Sequence, residues 1–207
     1  LLAEYTGGKV HIAHISSARA VEIVRDAKKR GVNVTAEVTP QHLTMTDDLV
    51  NPSDASTKIN PPLRTQKDCD ACLAGLIDGT IDIIVTDHSP HAFEEKDREF
   101  IYAPSGFPGL ETSLGVLFTE LYHKGKIDLK TLISKMTCAP AKIFGLNAGN
   151  LSVDAPADVT IIDPELVWTV DAKNFYTKGS HSPFIGRKFR GRAVATIVRG
   201  NLMKLNQ

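Results

Sequence analysis

From Lys9 to Val38 the chain reads KVHIAHISSARAVEIVRDAKKRGVNVTAEV, and from Gln66 to His88 it reads QKDCDACLAGLIDGTIDIIVTDH. KVHIAHI, Lys9 to Ile15, has strand composition. Ser16-Ser17 then supplies N-cap hydroxyls for a helix over Ala18 to Arg30. In that helix Ala20, Ile23, Val24 and Ala27 recur at helical spacing, and Gly31 ends it. VNVTAEV alternates Val32, Val34, Ala36 and Val38, the period of a strand. Gln66 to Asp78 reads as a helix with Ala71, Leu73 and Leu76 among its apolar positions. IDIIV, Ile81 to Val85, is a third strand, ending in Thr86-Asp87-His88. Strand, helix, strand, helix, strand is the pattern of a parallel α/β sheet, whose ligand sites lie at the C-terminal ends of the strands.

Outward from this unit, Leu1 to Tyr5 reads as the end of a helix closed by Gly7-Gly8. The stretch between the second strand and the second helix is broken by Pro40, Pro52, Pro61 and Pro62. His88 to Gly109 has little periodicity, and loops of that length are usually functional or disordered. Glu111 to His123 and Leu129 to Leu146 read as helices. From Gly149 the composition shifts: DVTIID, LVWTV and AVATIV are β-like, with a Gly200-Asn201 turn. No internal repeat or low-complexity segment is visible.

The 207 residues are 42% hydrophobic and 23% charged, which is globular composition and excludes a disordered chain. Lys+Arg and Asp+Glu both number 24. Zero net charge argues against a partner that is a nucleic acid or a membrane surface, since both need a basic excess. No apolar run is long enough to span a membrane, and no secretory signal is visible. Cys69, Cys72 and Cys138 are an odd set, which favours a reducing compartment, the cytoplasm, over a disulfide framework.

His14 and Asp87 stand at the ends of two predicted parallel strands. An imidazole nitrogen and a carboxylate oxygen there suit zinc; a helix cap and a loop turn are the plain alternatives. His11 points to the opposite face from His14 unless the strand ends between them, and reads as a packed or hydrogen-bonded histidine. Asp87-His88-Ser89-Pro90-His91 gathers an acid and two histidines that can ligate metal, move protons or bind a carboxylate. In Lys58-Ile59-Asn60-Pro61-Pro62-Leu63-Arg64 the prolines stiffen a loop that would present Asn60 and Arg64. Cys69 and Cys72 match C-x-x-C inside a helix with no second pair, and read as plain helix cysteines. His42 has no visible partner, and Glu37 near a strand end reads equally as a structural ion pair. Phosphate-binding glycine loops and a G-x-S-x-G elbow are absent.

HIAHISS (His11 to Ser17), KINPPLR (Lys58 to Arg64), TDHSPH (Thr86 to His91) and GFPGLET (Gly106 to Thr112) together resemble the second half of bacterial-type dihydroorotases, within the amidohydrolase superfamily. GNLSVDAPADVTIID resembles that family's closing β segment. The resemblance implies an α/β chain: the C-terminal part of a (β/α)8 TIM-type barrel over residues 1–148, followed by a small β-rich closing segment over 149–207. It implies zinc, two ions in a complete site, and the reversible cyclisation of carbamoyl aspartate to dihydroorotate in pyrimidine synthesis. His14 matches a histidine ligand of one zinc. Asp87 matches a ligand of the other and the catalytic proton shuttle. Asn60 and His91 match substrate-binding residues, His91 near the substrate carboxylate, and the Gly106-Phe107 backbone matches a segment closing over the ring. The implied partner is this small-molecule substrate, with a homo-oligomer or an aspartate transcarbamoylase complex as further assemblies.

The family's H-x-H pair, bridging carboxylate and further histidine have no counterpart in the chain and would lie before Leu1. It therefore reads as the C-terminal half of such an enzyme, inactive by itself. The apolar faces of Val32 to Val38 and Ile81 to Val85 are expected to meet water where missing strands would pack. Allantoinase and dihydropyrimidinase are the nearest enzyme alternatives, and Asn60 with His91 favours the carboxylate-bearing substrate. A non-catalytic dihydroorotase-like scaffold is expected to lose metal ligands, whereas His14 and Asp87 persist.

Overall fold

The computed structural model describes residues 1–205. A short helix α1 (Leu2–Thr6) leads through Gly7 into β1 (Val10–Ile12), α2 (Ala18–Lys29) and β2 (Val34–Val38). Helices α3 (Pro40–Thr44) and α4 (Gln66–Ile77) precede β3 (Ile83–Ile84). Then come α5 (Phe93–Lys96), α6 (Ser113–Leu117), α7 (Leu129–Met136) and α8 (Cys138–Phe144). Strands β4 (Val159–Thr169), β5 (Lys188–Val198) and β6 (Asn201–Leu205) follow.

The first three strands form a parallel sheet in the order β1-β2-β3. In β2 the side chains of Val34, Ala36 and Val38 are buried, while Thr35 and Glu37 are partly exposed. This corrects the expectation that the apolar faces of β2 and β3 meet water: Ala36, Val38, Ile81 and Ile83 are all 0% exposed. Alternation turns the apolar residues of β2 into one core with Val21 and Val24 of α2 and Leu76 of α4, and leaves the polar ones on the opposite face. Fully burying such an aliphatic side chain contributes about 1.5–3 kcal/mol. Asp82 knits the layers: both its oxygens accept from Lys28 Nζ at 2.8 Å, and Oδ2 also accepts from the Ala36 N–H.

The strands β4, β5 and β6 form a second, antiparallel sheet. DVTIID and LVWTV lie on one strand, whose pairing slips between Asp163 and Val167, where Pro164 withholds a backbone donor. The hairpin into β6 turns at Arg199-Gly200, one residue earlier than the sequence suggests, because both have positive φ. Val170, Phe184 and Phe189 join the same core as the parallel sheet.

The predicted helix over Leu129 to Leu146 is two helices broken at Thr137, which has φ −129° and ψ −85°. Pro140 explains the break, since its ring excludes the carbonyl four residues earlier in a continuous helix. The helix predicted from Glu111 begins at Ser113 and finishes as a π-helical turn over Phe118–Tyr122. Among the described residues no helix is long and apolar enough to cross a membrane.

Candidate functional site

The parallel pairing brings the C-terminal ends of β1, β2 and β3 to one edge, so His14, Thr39 and Asp87 follow adjacent strands. The first strand ends at Ile12, between His11 and His14. His14 then takes φ 34° and Asp87 takes φ 49°, left-handed values that cost a non-glycine residue energy and cluster at functional sites. The backbone remains tied beyond the strands: Ile15 N–H donates to Glu37 O and Val85 N–H to Val38 O. His14 Nδ1 is buried without a hydrogen-bond partner. His11 is hydrogen-bonded as expected: its Nδ1 lies 2.7 Å from Thr35 Oγ1 and its Nε2 2.9 Å from Glu37 Oε2.

His42 is 2% exposed, and its ring is bonded at both nitrogens. Nε2 lies 2.9 Å from the Pro61 carbonyl, which only accepts, so Nε2 carries the proton. Nδ1 then accepts from Thr39 Oγ1 at 2.8 Å, while that hydroxyl accepts from the His42 N–H. Burial holds the His42 pKa below its ordinary value; the charge of Asp87 opposes this and that of His14 adds to it. His42 therefore shares an electrostatic neighbourhood with both strand-end residues. It also fixes the loop that carries Asn60. Ile59 and Leu63 are each 5% exposed and anchor this loop, between which Asn60 projects outward; Arg64 beyond them is exposed as well.

The segment after β3 is ordered by its own polar groups. His88 Nδ1 accepts from the N–H groups of Gly109 and Leu110, both at 3.2 Å. His91 Nε2 donates to Ser105 O at 2.9 Å. Ser89 N–H donates to Phe107 O, and His88 pairs with Phe107 in a parallel bridge. This return strand explains G-F-P-G. Gly106 has φ 115°, and a Cβ there would lie 2.5 Å from Ser89 Cβ; a Cβ on Gly109 would meet Thr86 O at 2.7 Å. Phe107 is 2% exposed and packs edge-on to Phe184, so its side chain belongs to the core.

Cys69 and Cys72 are buried in α4, where burial pushes their thiols up to about 11 and about 12, values of inert core cysteines. Among the described residues no three His, Cys, Asp or Glu side chains form a metal-binding group. The sequence reading left His42 unassigned and gave no role to Lys58 or Lys96. The N-cap and first-turn pair Thr39-Pro40, with a histidine two residues on, was the available signal for the first.

The model of the amidohydrolase family matches residues 1–203. The chain is 51% identical over 202 residues to a dihydroorotase of Citrifermentans bemidjiense, covering 98% of this chain and 47% of that protein. It is 51% identical to one of Pelotomaculum thermopropionicum, covering 98% and 48%. The chain thus spans about half the length of the curated relatives it matches. Among solved structures, the L-hydantoinase (dihydropyrimidinase) of Arthrobacter aurescens superimposes with a TM-score of 0.92 at 32% identity, covering 100% of this chain and 48% of that one. The dihydropyrimidinase of Brevibacillus agri gives 0.91 at 29% identity, covering 99% and 46%. Sequence and backbone agree that the chain belongs to the amidohydrolase family.

Proposed function

We propose that this chain supplies the C-terminal half of a dihydroorotase, the enzyme that reversibly closes N-carbamoyl-L-aspartate to dihydroorotate. Residues 1–148 would be the closing part of a (β/α)8 barrel and residues 149–207 the β-rich segment beside it. The observation that carries the reading is the pair His14 and Asp87, held at positive φ beyond the C-terminal ends of the two strands that flank β2 in the parallel sheet. Identity of about half to curated dihydroorotases supports the substrate. Three free cysteines support a reducing, cytoplasmic setting.

The family is generally metal-dependent. The donors present suit a zinc ion. The buried, unpartnered Nδ1 of His14 is a costly vacancy in hydrogen bonding that a ligand would relieve. Among the described residues no side chain hydrogen-bonds to the Asp87 carboxylate, which leaves its oxygens open as well. A catalytic zinc usually takes three protein ligands, so His14 and Asp87 need donors from another segment. When bound, zinc would polarise the amide carbonyl and make water acidic enough to attack near neutral pH.

The remaining work belongs to the chain. Asp87 takes a proton from the attacking water and returns it to the ring nitrogen as the amide bond breaks. Asn60 and His91 hold the polar ends of the substrate, and the Gly106-Phe107 backbone closes the site over the ring. Nε2 of His91 is committed to Ser105 O, and Nδ1 lies 3.8 Å from Glu95 Oε2, so a protonated His91 would meet the substrate carboxylate through Nδ1 in place of Glu95.

The test joins the N-terminal half of the Citrifermentans bemidjiense dihydroorotase ahead of Leu1 and assays the joined protein with zinc. Dihydroorotate should be hydrolysed in preference to hydantoin and dihydrouracil. A folded, zinc-loaded protein that opens hydantoin or dihydrouracil and spares dihydroorotate would replace this reading with that of the solved neighbours.

A further inference from the structure

Lys58 and Lys96 both turn their ammonium groups onto one stretch of backbone. Lys58 Nζ donates to the carbonyl oxygens of Phe100 at 2.7 Å, Ile101 at 3.1 Å and Ala103 at 2.6 Å. Lys96 Nζ donates to Pro104 O at 3.0 Å and Gly106 O at 2.9 Å. The N–H of Gly106 donates to the Lys58 carbonyl at 2.8 Å, so each lysine residue holds one backbone group of Gly106. With His91 on Ser105, the carbonyls of residues 100, 101, 103, 104, 105 and 106 are drawn toward three side chains.

This arrangement is expensive. Lys96 is 3% exposed, and among the described residues no carboxylate forms an ion pair with either ammonium. Burying an unpaired ammonium is unfavourable unless hydrogen bonds replace its water. Burial, with Lys58 nearby, draws the Lys96 pKa down to about 8. A surface loop kept only for connection needs no such device, since loops tolerate mobility. This loop ends in Gly106 and Phe107, which lie against His88 and Ser89, next to Asp87.

We propose that Lys58 and Lys96 are positioning residues: they fix the 100–106 loop beside Asp87 and so set the affinity for the cyclic substrate without touching it. The inference rests on the dihydroorotase reading for its substrate, while the pinning of the loop stands on the contacts alone.

In the joined protein, Lys58→Met and Lys96→Met should each raise KM for dihydroorotate at least tenfold and leave kcat within about threefold, the signature of lost uniform binding. Trypsin cleavage after Arg98 should become at least tenfold faster in both. A fall in kcat at constant KM, or unchanged KM with unchanged cleavage, would overturn the proposal. Hydrogen exchange on the unsubstituted protein covers variants that do not fold: amides of residues 98–107 should exchange at least tenfold slower than those of the exposed 150–154 loop. Equal exchange in the two loops would also overturn it. If the unsubstituted protein exchanges slowly there and resists trypsin, yet never opens dihydroorotate, the pinning stands and the substrate assignment fails.

Discussion

The carboxylate of Glu37 accepts a hydrogen bond from the backbone N–H of His14 at 3.3 Å, and its other oxygen meets His11 Nε2 at 2.9 Å. One side chain on the middle strand thus holds the first strand where it leaves the sheet. His14 has a left-handed φ there, and Glu37 is part of what offsets the strain. Glu37→Ala should therefore destabilise the joined protein by about 1–2 kcal/mol, because its part-buried partners lose their acceptor. Glu37→Gln, whose amide oxygen can still accept from His14, should recover part of this. Chemical denaturation midpoints decide it, and equal midpoints for Ala and wild type would refute the role.

Asp87→Asn should leave the joined protein folded and reduce dihydroorotate turnover at least a hundredfold. An amide cannot accept the proton that general-base catalysis moves, a contribution of about 10²–10⁴ in rate. The positive φ of Asp87 favours this variant for folding, since asparagine tolerates the left-handed region. Retention of more than about a tenth of wild-type turnover would contradict the assignment.

Asn60→Ala and His91→Ala should weaken dihydroorotate binding roughly ten- to a hundredfold each, about 1.5–3 kcal/mol for a hydrogen bond to a charged group. The two should differ in trypsin sensitivity. Asn60 is exposed, and among the described residues no hydrogen bond ties it to the 100–106 loop, whereas His91 also holds Ser105 O, so only His91→Ala should quicken cleavage after Arg98. Wild-type affinity in both variants would favour a substrate without a carboxylate.

Much of the parallel unit was legible in the sequence because its signals are local. Ser17 caps α2, its Oγ accepting from the Ala20 N–H, and the alternation of Val34, Ala36 and Val38 is the burial pattern of β2. The placement of His14 and Asp87 beyond the ends of two parallel strands was legible from position, whereas their roles as ligands came only from the resemblance. What was not legible depends on partners distant in sequence. His42 takes its meaning from the Pro61 carbonyl, and Lys58 from carbonyls more than 40 residues on. Helix α3 was hidden by Pro40, read as a breaker although it occupies the first turn. Strand β1 is short because His14 departs from extended backbone, which no periodicity encodes.

His42 should make stability sensitive to mild acid. Its folded pKa lies below the unfolded value of about 6.5, chiefly through burial. Above about pH 6.5 the ring is neutral in both states and its contribution is complete. As pH falls, the unfolded chain takes up the proton first, and stability declines down through the folded pKa. Protonating Nδ1 would also remove the bond it accepts from Thr39. In zinc-free joined protein, His42→Gln should flatten the loss of denaturation midpoint between about pH 7 and pH 5. An unchanged slope would show that His42 does not titrate against folding.

Residues 1–207 purified without any added segment should self-associate and fail to hydrolyse dihydroorotate. Among the described residues the outer strands of the sheet β1-β2-β3 each pair with one strand only, which leaves two edges that can recruit other chains. The core beneath is closed, since Ala36, Val38 and Ile83 are fully buried, so the association should run through edges and surface groups. Leu2, Tyr5, Leu151, Val153 and Ile161 are among the exposed large apolar residues that would add to it. His14 and Asp87 offer fewer donors than the three that a catalytic zinc usually takes, so metal should be held loosely and below two ions per chain. Sedimentation, zinc stoichiometry after dialysis and a dihydroorotate assay measure the three parts separately. A monomer with two tightly held zinc ions and enzyme-like turnover would mean that these 207 residues complete the site unaided. Activity restored by adding the N-terminal half of a curated relative would locate the missing ligands there.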